Sequence, residues 1–559
     1  MSETNLTNLL GSAVSPDVPM QIQSPDASAV ASGGVAYDGA SKFDQLNTWY
    51  PPLRSADADL LPEKPTLDAR SRNMFANDAY VQGGATIQKD AVVGAVYRLN
   101  AKPQTKVLWG KEDDTWEEEF QEEVETKFSL WAESPRNWAD SRRRGTLTDL
   151  VRLAVGTHVT GGEVLGIGDW QDDGRPYASS LLMIDADRLS NPMNGSANGK
   201  FIRGGVELNR LGQPVAYHIR NRHPSDLFGG LNAMLDVNLW TRVRRETRWG
   251  RQNVLHVFEQ LRPDQSRGVA AVVTALTEMR MLKHFRKTEL QRAVIAATYA
   301  ASIETDLPKD AMIAMGAGDA SENPYIDTIQ QMMELMAGYS DASKNLHMEG
   351  AKIPVFVPNT HLKIQNPGAS SPAGDKFEAS MLRYIAAALG VSYEQLSRDY
   401  TQTNYSSARA SIGEALRGML PKKRLVADAT ANFVWRLWLE EAINYNQLET
   451  LKRRSVPNFY DGLNAEAFSN AEWIGAGQGQ IDPLKETQAA VLKIKSGLST
   501  QEYEIARMSG GDWRSVKRQI ARERALDAKY ENPSIYDTND TTDMENSLSG
   551  SPREASDAA

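Results

Sequence analysis

Hydrophobic side chains recur at helical spacing near the start of the folded part of the chain. Between Glu112 and Trp131 apolar residues return every three or four positions among many acidic ones. These apolar positions are Trp116, Phe120, Val124, Phe128 and Trp131. The spacing predicts an amphipathic helix whose acidic residues form its solvated face, and we favour this over a metal or partner site.

Short alternating runs replace the helical pattern between Thr157 and Gln260. Val206–Leu208 and Val215–Ile219 alternate on either side of a turn, which predicts a β-hairpin. Val254–Phe258 is a continuous apolar run with His256 inside it. No other His or acid stands at metal-ligand spacing from His256, so we expect it to be a hydrogen-bonded strand residue.

The second half of the chain is dominated by helical patterns around one mixed unit. A run of about thirty residues from Gly268 predicts a helix roughly 40 Å long. Residues 299–365 follow as a compact mixed unit, with a helix near 326–337. That helix carries Met332, Met333 and Met336, which are typical of a core or of an adaptable contact surface. Helical spacing returns from Phe377 to Leu389, and Gly390 stands where this helix would end.

A polar, Tyr-rich segment without Pro or Gly joins this helix to the next one, which opens near Ser406 and continues to about Asn444. Pro421 lies inside that helix, where it removes one backbone hydrogen bond, so we expect a kink. Beyond Pro421 two apolar stripes predict a well-buried helix: Val434, Trp438, Ala442 and Trp435, Leu439, Ile443. The elements together predict an α+β protein.

Composition narrows the class of protein. The chain has 559 residues, 41% of them hydrophobic and 24% charged, with no cysteine and a net charge of -10. Without cysteine, disulfides, thiol nucleophiles and Cys-based zinc sites are excluded, which fits a reducing cytoplasm. No apolar run reaches the ~18 residues of a spanning helix, so we expect no membrane association. The negative charge argues against tight nucleic-acid binding but is compatible with an inner wall past which DNA slides.

Motifs of catalysis are missing from the sequence. There is no phosphate-binding loop, no HExxH and no GxSxG, so neither an ATP-driven motor nor a metalloprotease is indicated. One acidic group resembles a Mg²⁺ site of a nuclease: Asp169, Asp172, Asp173, Asp185 and Asp187. We favour a solvated turn for these acids, and we expect no cofactor, no metal and no enzymatic activity.

Basic residues cluster on one face of the predicted 268–297 helix. Arg280, Lys283 and Lys287 lie at i, i+3 and i+7, with Arg286 and Arg292 beside them. A solvated face paired with Glu278 and Glu289 is the simpler interpretation, and a DNA-facing surface is the alternative. Lys422, Lys423 and Arg424, after the predicted kink, leave the same two possibilities open.

Several segments of this chain resemble the lambda-type portal proteins of tailed bacteriophages. The most specific is the helix–polar segment–helix run from Phe377 to Arg409. Shorter matches are Leu255–Glu259, the tripeptide from Ser266 to Gly268 and the one from Trp473 to Gly475. The resemblance extends from Trp49 to about Arg524, which is most of the chain.

The resemblance implies a portal fold with named parts. An α+β wing would cover 46–265, a first stem helix 266–298, a small mixed clip 299–365, a second stem helix 374–390, a tunnel-loop region 392–405, a long kinked helix 406–446 and C-terminal wing and crown helices 447–529. Residues 1–45 and 530–559, which are polar and without periodicity, are expected to be disordered arms.

The resemblance also implies a function. Such proteins form a ring, usually a dodecamer, at one capsid vertex of the virion and are assembled in the host cytoplasm. The ring guides double-stranded DNA without sequence specificity and contacts the terminase large subunit, major capsid and scaffold proteins, and head-completion and tail connector proteins. In the tunnel-loop region the expected channel residues are Arg398, Asp399, Tyr400, Asn404 and Tyr405. A Mg²⁺-dependent DNA nuclease and another head-tail connector ring are the alternatives.

Overall fold

The computed structural model describes residues 48–192, 201–226, 239–298, 334, 347–348, 351–352, 372–401, 404–477, 482–532 and 536. The chain divides into two compact units, Met1–Ser55 and Ala56–Ala559, and the elements below belong to the second. The described residues contain both helices and strands, as predicted for an α+β protein. None of the described helices has the length and apolarity needed to cross a membrane.

Six helices and one strand form the first part of the second unit: α1 Ala56–Leu60, α2 Lys64–Asn77, α3 Ala79–Val92, β1 Arg98–Ala101, α4 Thr105–Trp109, α5 Asp114–Ala132 and α6 Leu147–Gly161. Helix α5 confirms the predicted amphipathic helix, because all five of its predicted apolar residues are buried. Asp113 begins α5 by accepting a hydrogen bond from the Trp116 backbone N–H at 3.0 Å. Glu118, Glu119 and Glu122 lie on the exposed side of the helix, whereas Glu117, Glu123 and Glu125 are partly buried.

Two antiparallel sheets follow. The first contains β2 Glu163–Trp170, β3 Ser179–Ile184 and β8 Val254–Phe258 in the order β3-β2-β8. The second contains β4 Phe201–Arg203, β5 Val206–Leu208, β6 Pro214–Arg220 and β7 Trp240–Arg244 in that order. The predicted hairpin is confirmed, because β5 pairs with β6 and Val206 lies opposite Tyr217. Short 3₁₀ turns occupy Ala186–Arg188 and Pro224–Asp226.

The helix predicted from Gly268 begins later than expected. A 3₁₀ turn covers Ala271–Ala275, and α7 runs from Leu276 to Thr298. Gly268 lies before the helix and is held against β2, since its N–H donates to Glu163 Oε2 at 3.1 Å. There is also no room for a side chain, since a Cβ on Gly268 would lie 2.2 Å from the Gly162 carbonyl oxygen. The prediction for 268–275 was therefore wrong, because a tertiary contact overrides local propensity.

Helices α8 Pro372–Leu389, α9 Tyr393–Ser397 and α10 Tyr405–Lys422 come next. Gly390 ends α8 with a φ of +68°, as predicted. A π-helical segment, Lys423–Asp428, then connects α10 to α11 Ala429–Asn444. The predicted kink near Pro421 stays a prediction. What the structure shows there is a change from α-helical to π-helical hydrogen bonding just after the proline, whose missing N–H disturbs the ladder. The helix continues through it.

Helix α11 lies in the main core. Of the six residues in its predicted stripes, five are buried and Ile443 is partly buried. Trp435 and Trp438 stack at 5.5 Å, and Phe128 of α5 meets both rings edge-on at 5.1 and 5.4 Å. The remaining elements are α12 Glu449–Lys452, α13 Asn464–Ser469, β11 Ala471–Ile474, α14 Pro483–Lys495, α15 Gln501–Ser509 and α16 Trp513–Lys529. Strand β11 pairs antiparallel with β1.

The mixed unit predicted over 299–365 falls largely outside the described residues. Within it the structure describes Glu334 and the paired strands β9 His347–Met348 and β10 Ala351–Lys352. Met332, Met333 and Met336 lie outside the described residues, so the predicted contact surface stays a prediction.

Candidate functional site

The segment between α8 and α10 begins with a short capped helix. Ser392 Oγ accepts from the Gln395 N–H, and Gln395 Oε1 accepts from the Ser392 N–H, both at 3.2 Å. The buried Leu396 packs toward Gly84 of α3. The Gln88 side chain of α3 donates to the Leu389 carbonyl at 2.6 Å. Residues 393–397 are therefore an ordered helix, and the irregular part of the predicted tunnel-loop region starts at Arg398.

Arg398 has a φ of +56°, a left-handed conformation that is uncommon for a residue with a side chain. Its side chain is exposed, as are those of Asp399 and Tyr400. Among the described residues Arg398 has no hydrogen-bond or ion-pair partner, whereas Asp399 accepts from the Thr401 hydroxyl at 2.6 Å and from its N–H at 3.0 Å. The Thr401 hydrogen bonds lower the pKa of Asp399. The opposite charges of Arg398 and Asp399 are thus neighbours in the chain but form no ion pair with each other.

The end of the segment is fixed by Asn404, which caps α10. Its side-chain oxygen accepts from the Ser407 N–H at 2.8 Å. Tyr405 is the first residue of α10, and its side chain lies outside the described part of the structure. Of the five expected channel residues, three are exposed together at 398–400, while Asn404 has a local structural role.

The basic face of α7 is only partly free. Arg280, Lys283 and Lys287 are exposed, but Lys283 Nζ donates to the Asn77 carbonyl at 3.0 Å, at the end of α2. Neither Arg280 nor Lys287 pairs with any described residue. The pairing expected with Glu289 is made by Arg292 at 3.0 Å, and no described partner of Glu278 Oε2 is found, although this atom is buried. The face carries two unpaired cations per chain.

Of the three basic residues after Pro421, Lys422 and Lys423 contact other parts of the protein and Arg424 is exposed to solvent. Lys423 Nζ binds Asp428 at 2.8 Å and the Trp473 carbonyl at 2.9 Å, so it holds the π-helical segment against β11. Lys422 Nζ points to Gln88 Oε1 at 3.4 Å, and burial lowers its pKa. Arg424 is exposed. Only Arg424 of the three could meet a ligand in solvent.

A cluster of buried charged side chains lies beside the segment that connects β8 to α7. Arg267 forms a two-pronged ion pair with Glu163 of β2, through Nη2–Oε1 at 2.6 Å and Nε–Oε2 at 2.9 Å. Lys64 Nζ lies 3.1 Å from Glu163 Oε1, and His256 Nε2 lies 3.2 Å from Oε2. Burial alone would raise the pKa of Glu163, but the charge of Arg267 and the hydrogen bond from His256 hold it well below the usual range.

This cluster is structural, since Asp68, 3.0 Å from Lys64 Nζ, balances the second positive charge. His256 is a hydrogen-bonded strand residue, as predicted, and burial lowers its pKa. Arg267 also donates to the carbonyls of Leu189, Gly204 and Ala186. The sequence analysis missed Glu163, although an acid directly after two glycines in an apolar strand was a visible signal.

The five acids of the possible Mg²⁺ site do not form one group. Asp169 binds its neighbour Gln171 at 2.6 Å, and Asp173 pairs with Arg143 and Arg175 at 2.9 Å each. Asp185 and Asp187 do lie together with His223, but Arg72 forms ion pairs with both carboxylates. A guanidinium therefore occupies the position a cation would take, and the residues present do not fit a nuclease metal site.

Comparison of the sequence with known proteins identifies the family of this chain. Residues 43–421 match the model of the phage portal proteins of the lambda family. The chain is 34% identical to the portal protein of Escherichia phage N15 over 492 residues, covering 88% of this chain and 89% of that protein. It is also 34% identical to portal protein B of Escherichia phage lambda, with coverages of 87% and 89%.

The protein is thus a structural component of a tailed phage, and it belongs to the lambda family of phage portal proteins. Among solved structures it is similar to a chain from the neck of an empty GTA particle, with 14% identity, a TM-score of 0.37 and coverages of 79% and 92%. That likeness is too low to place individual elements.

Proposed function

We propose that this portal protein assembles into a ring, a dodecamer in the particle, through which double-stranded DNA enters and leaves the phage head. The observation that carries the proposal is membership of the portal family together with apolar residues left exposed on α7 and α8. Leu290 and Val294 of α7 are 66% and 56% exposed, and Phe377 and Tyr384 of α8 are 46% and 50% exposed. A neighbouring subunit would cover such residues.

The parts of the ring follow the family assignment. The described residues up to Gln265 form the wing, α7 and α8 the two stem helices, and α10 to α11 the long helix below the crown. The two stem helices contact each other, since Arg286 of α7 forms an ion pair with Glu378 of α8 at 2.7 Å. The Arg286 guanidinium also lies over the Tyr80 ring of α3. Two packed helices of this kind suit the wall of a channel.

DNA would meet the protein at the segment that follows α8. Arg398, Asp399 and Tyr400 are exposed there, and a ring repeats each of them in every subunit. Arg398 supplies a charge that attracts phosphate, and Asp399 supplies one that repels it. Alternating rings of opposite sign would guide DNA with little net adhesion.

The outer partners are assigned by position. The clip, residues 299–365, would bind the terminase large subunit, and the wing would face the capsid and scaffold proteins. Head-completion and tail connector proteins would replace terminase after packaging, so that the ring remains in the virion.

The terminase contact is tested by replacing Met332, Met333 and Met336 with Ser in one variant. This variant is expected to block packaging while rings and proheads still form. Normal packaging by this variant would remove the terminase contact from the 326–337 region.

The ring itself is tested by negative-stain imaging and native mass spectrometry of the purified full-length chain. Ring-shaped particles support the proposal, and a monodisperse monomer at micromolar concentration contradicts it. Incubation of the same preparation with plasmid DNA and Mg²⁺ tests the nuclease alternative. Cleavage that disappears in Asp172→Ala would favour the enzyme.

A further inference from the structure

The second sheet carries an unusual concentration of one basic residue. Between Phe201 and Arg262 the chain contains ten arginines, no lysine and five acidic residues, a balance of +5 in a chain whose total is -10. Arginine is preferred over lysine where planar, two-pronged contacts with phosphate or carboxylate are made. This region therefore has a positive net charge in a negatively charged chain, and its cations are all arginines.

Four of these arginines line one cavity. It has a volume of about 480 Å³ and is lined by Arg242, Arg244, Arg245 and Arg248, with Glu246 as its one acidic residue. Arg242 is bound by Glu207 at 2.7 and 3.0 Å, and Arg245 is paired with Glu246 at 3.3 Å. The side chains of Arg244 and Arg248 are exposed and have no hydrogen-bond or ion-pair partner among the described residues. Two guanidinium groups are thus free to bind an anion.

Two tight turns hold the walls of the cavity in place. In the turn between β5 and β6, the Asn209 N–H donates to the Gln213 carbonyl at 2.9 Å. In the tight turn of the segment that connects β7 to β8, the Thr247 N–H donates to the Arg251 carbonyl at 2.8 Å and Gly250 takes a φ of +101°. The backbone that carries the arginines is therefore held in place, so binding a ligand orders only their side chains.

Exposed aromatic residues stand beside the cavity. Trp249 in the 247–251 turn is 55% exposed, and the Arg251 guanidinium lies 5.5 Å from its ring and 5.2 Å from that of Trp170. The cavity walls themselves are mostly charged, with Pro214 and Val215 as the apolar contributions. Protein-binding sites centre on a buried apolar group, whereas DNA-binding surfaces are more polar and strongly positive.

We propose that this arginine cavity binds the phosphodiester backbone of double-stranded DNA, without sequence specificity, on the wing part of the chain. Arg244 and Arg248 make the contacts, while Arg242 and Arg245, held by their carboxylates, contribute positive potential and shape. The inference deepens the proposed function, since it assumes that DNA passes the assembled protein. It adds a second DNA contact far in sequence from the segment at 398–400.

The test is duplex DNA binding by the assembled full-length protein, measured by fluorescence anisotropy at several salt concentrations. Each phosphate contact contributes about 0.9 to the slope of log K against log salt. The double variant Arg244→Gln/Arg248→Gln is expected to bind more weakly and to lose about two units of slope. The control Arg70→Gln/Arg98→Gln removes the same charge from two exposed arginines elsewhere and is expected to retain the slope.

Equal slopes for the two double variants would overturn the proposal. A Glu-rich peptide is titrated in parallel, and loss of peptide binding with unchanged DNA binding would make the cavity a protein-docking site and also overturn it. If the double variant unfolds, Arg248→Gln alone is used, because Arg248 lies in the 247–251 turn, and about one unit of slope is then expected to disappear. Ring formation is measured on each sample by native mass spectrometry, so failure to assemble is distinguished from failure to bind.

Discussion

Glu163 and Arg267 form a two-pronged ion pair that is almost completely shielded from solvent, with side-chain exposures of 0% and 6%. The pair connects β2 to the residues that lead into α7, and Lys64 of α2 joins it at 3.1 Å. Buried charges of this kind are costly to leave unpaired. The place where the chain leaves the first sheet and leads into α7 is therefore set by electrostatics within the core.

The first prediction is that Glu163→Gln strongly destabilises the chain. The amide keeps the shape of the side chain but leaves Arg267 and Lys64 with one carboxylate, Asp68, between them, so we expect a loss of about 3–5 kcal/mol in the free energy of unfolding. Chemical denaturation monitored by tryptophan fluorescence measures it. Glu118→Gln, which changes an exposed acid on α5, is the matched control and is expected to change stability by less than about 0.5 kcal/mol. A similar small effect at Glu163 would show that the pair adds little to stability.

The second prediction concerns Glu125 of α5, whose pKa is raised to about 7 by burial. Its Oε1 accepts from the Ala101 N–H at 2.9 Å and from Gln121 at 2.7 Å. A carboxyl group with a raised folded-state pKa binds its proton more tightly when folded. Its contribution is therefore fully present below the unfolded pKa of 4.5 and is lost as pH rises through about 7.

Glu125→Gln imitates the protonated form and keeps the acceptor oxygen. We expect it to match the unchanged protein near the unfolded pKa and to be more stable above the folded pKa, by on the order of 3 kcal/mol. Unfolding free energies measured across this pH range decide the matter. Parallel pH profiles for the two proteins would mean that Glu125 ionises normally.

The apolar pattern predicted the elements that depend on local spacing and missed those decided by contacts distant in sequence. Helix α5 and the hairpin of β5 and β6 follow directly from periodicity. The start of α7 does not, because Gly268 is held by Glu163, more than a hundred residues earlier in the chain. Likewise Lys423 looked like a solvent-facing cation, yet it binds Asp428 and the carbonyl of Trp473.

The candidate site was predictable to a similar extent. The exposure of Arg398, Asp399 and Tyr400 agrees with the polar character of their segment. The helix at Tyr393–Ser397 was not anticipated, although Ser392 and Gln395 stand at capping-box spacing. The arginine cavity is assembled from two turns whose proximity depends on strand pairing, and the sequence analysis did not predict it.

The third prediction is that a charge on the exposed apolar face of α7 prevents ring assembly. Leu290→Lys would place an ammonium group where a neighbouring subunit is proposed to pack, forfeiting about 1.5–3 kcal/mol of apolar burial at every interface. Native mass spectrometry is expected to show monomers or small oligomers. Gln291→Lys adds the same charge to the adjacent exposed residue and is expected to assemble normally. Intact rings from Leu290→Lys would place this face outside the subunit interface.

The fourth prediction concerns the opposite charges at 398 and 399. Asp399→Ala removes the repelling ring and leaves Arg398 unopposed, so DNA should adhere and packaging should slow or stall. Each added phosphate contact increases the salt slope by about one unit, so higher salt should relieve the stalling. Arg398→Asn removes the attracting charge, and asparagine tolerates the left-handed backbone at this position. This variant should retain packaged DNA less well while its rings remain intact.

Packaging velocity and the final length of packaged DNA, measured in an in vitro packaging reaction, test both variants. Thr401→Val is the matched control, since it deletes the 2.6 Å hydrogen bond to Asp399 but keeps both charges. If adhesion to phosphate is what slows DNA, Thr401→Val should package at nearly the normal velocity. A defect in Thr401→Val as large as that of Asp399→Ala would instead assign the effect to loop structure. Unchanged velocity and length in all three variants would place residues 398–401 outside the DNA path.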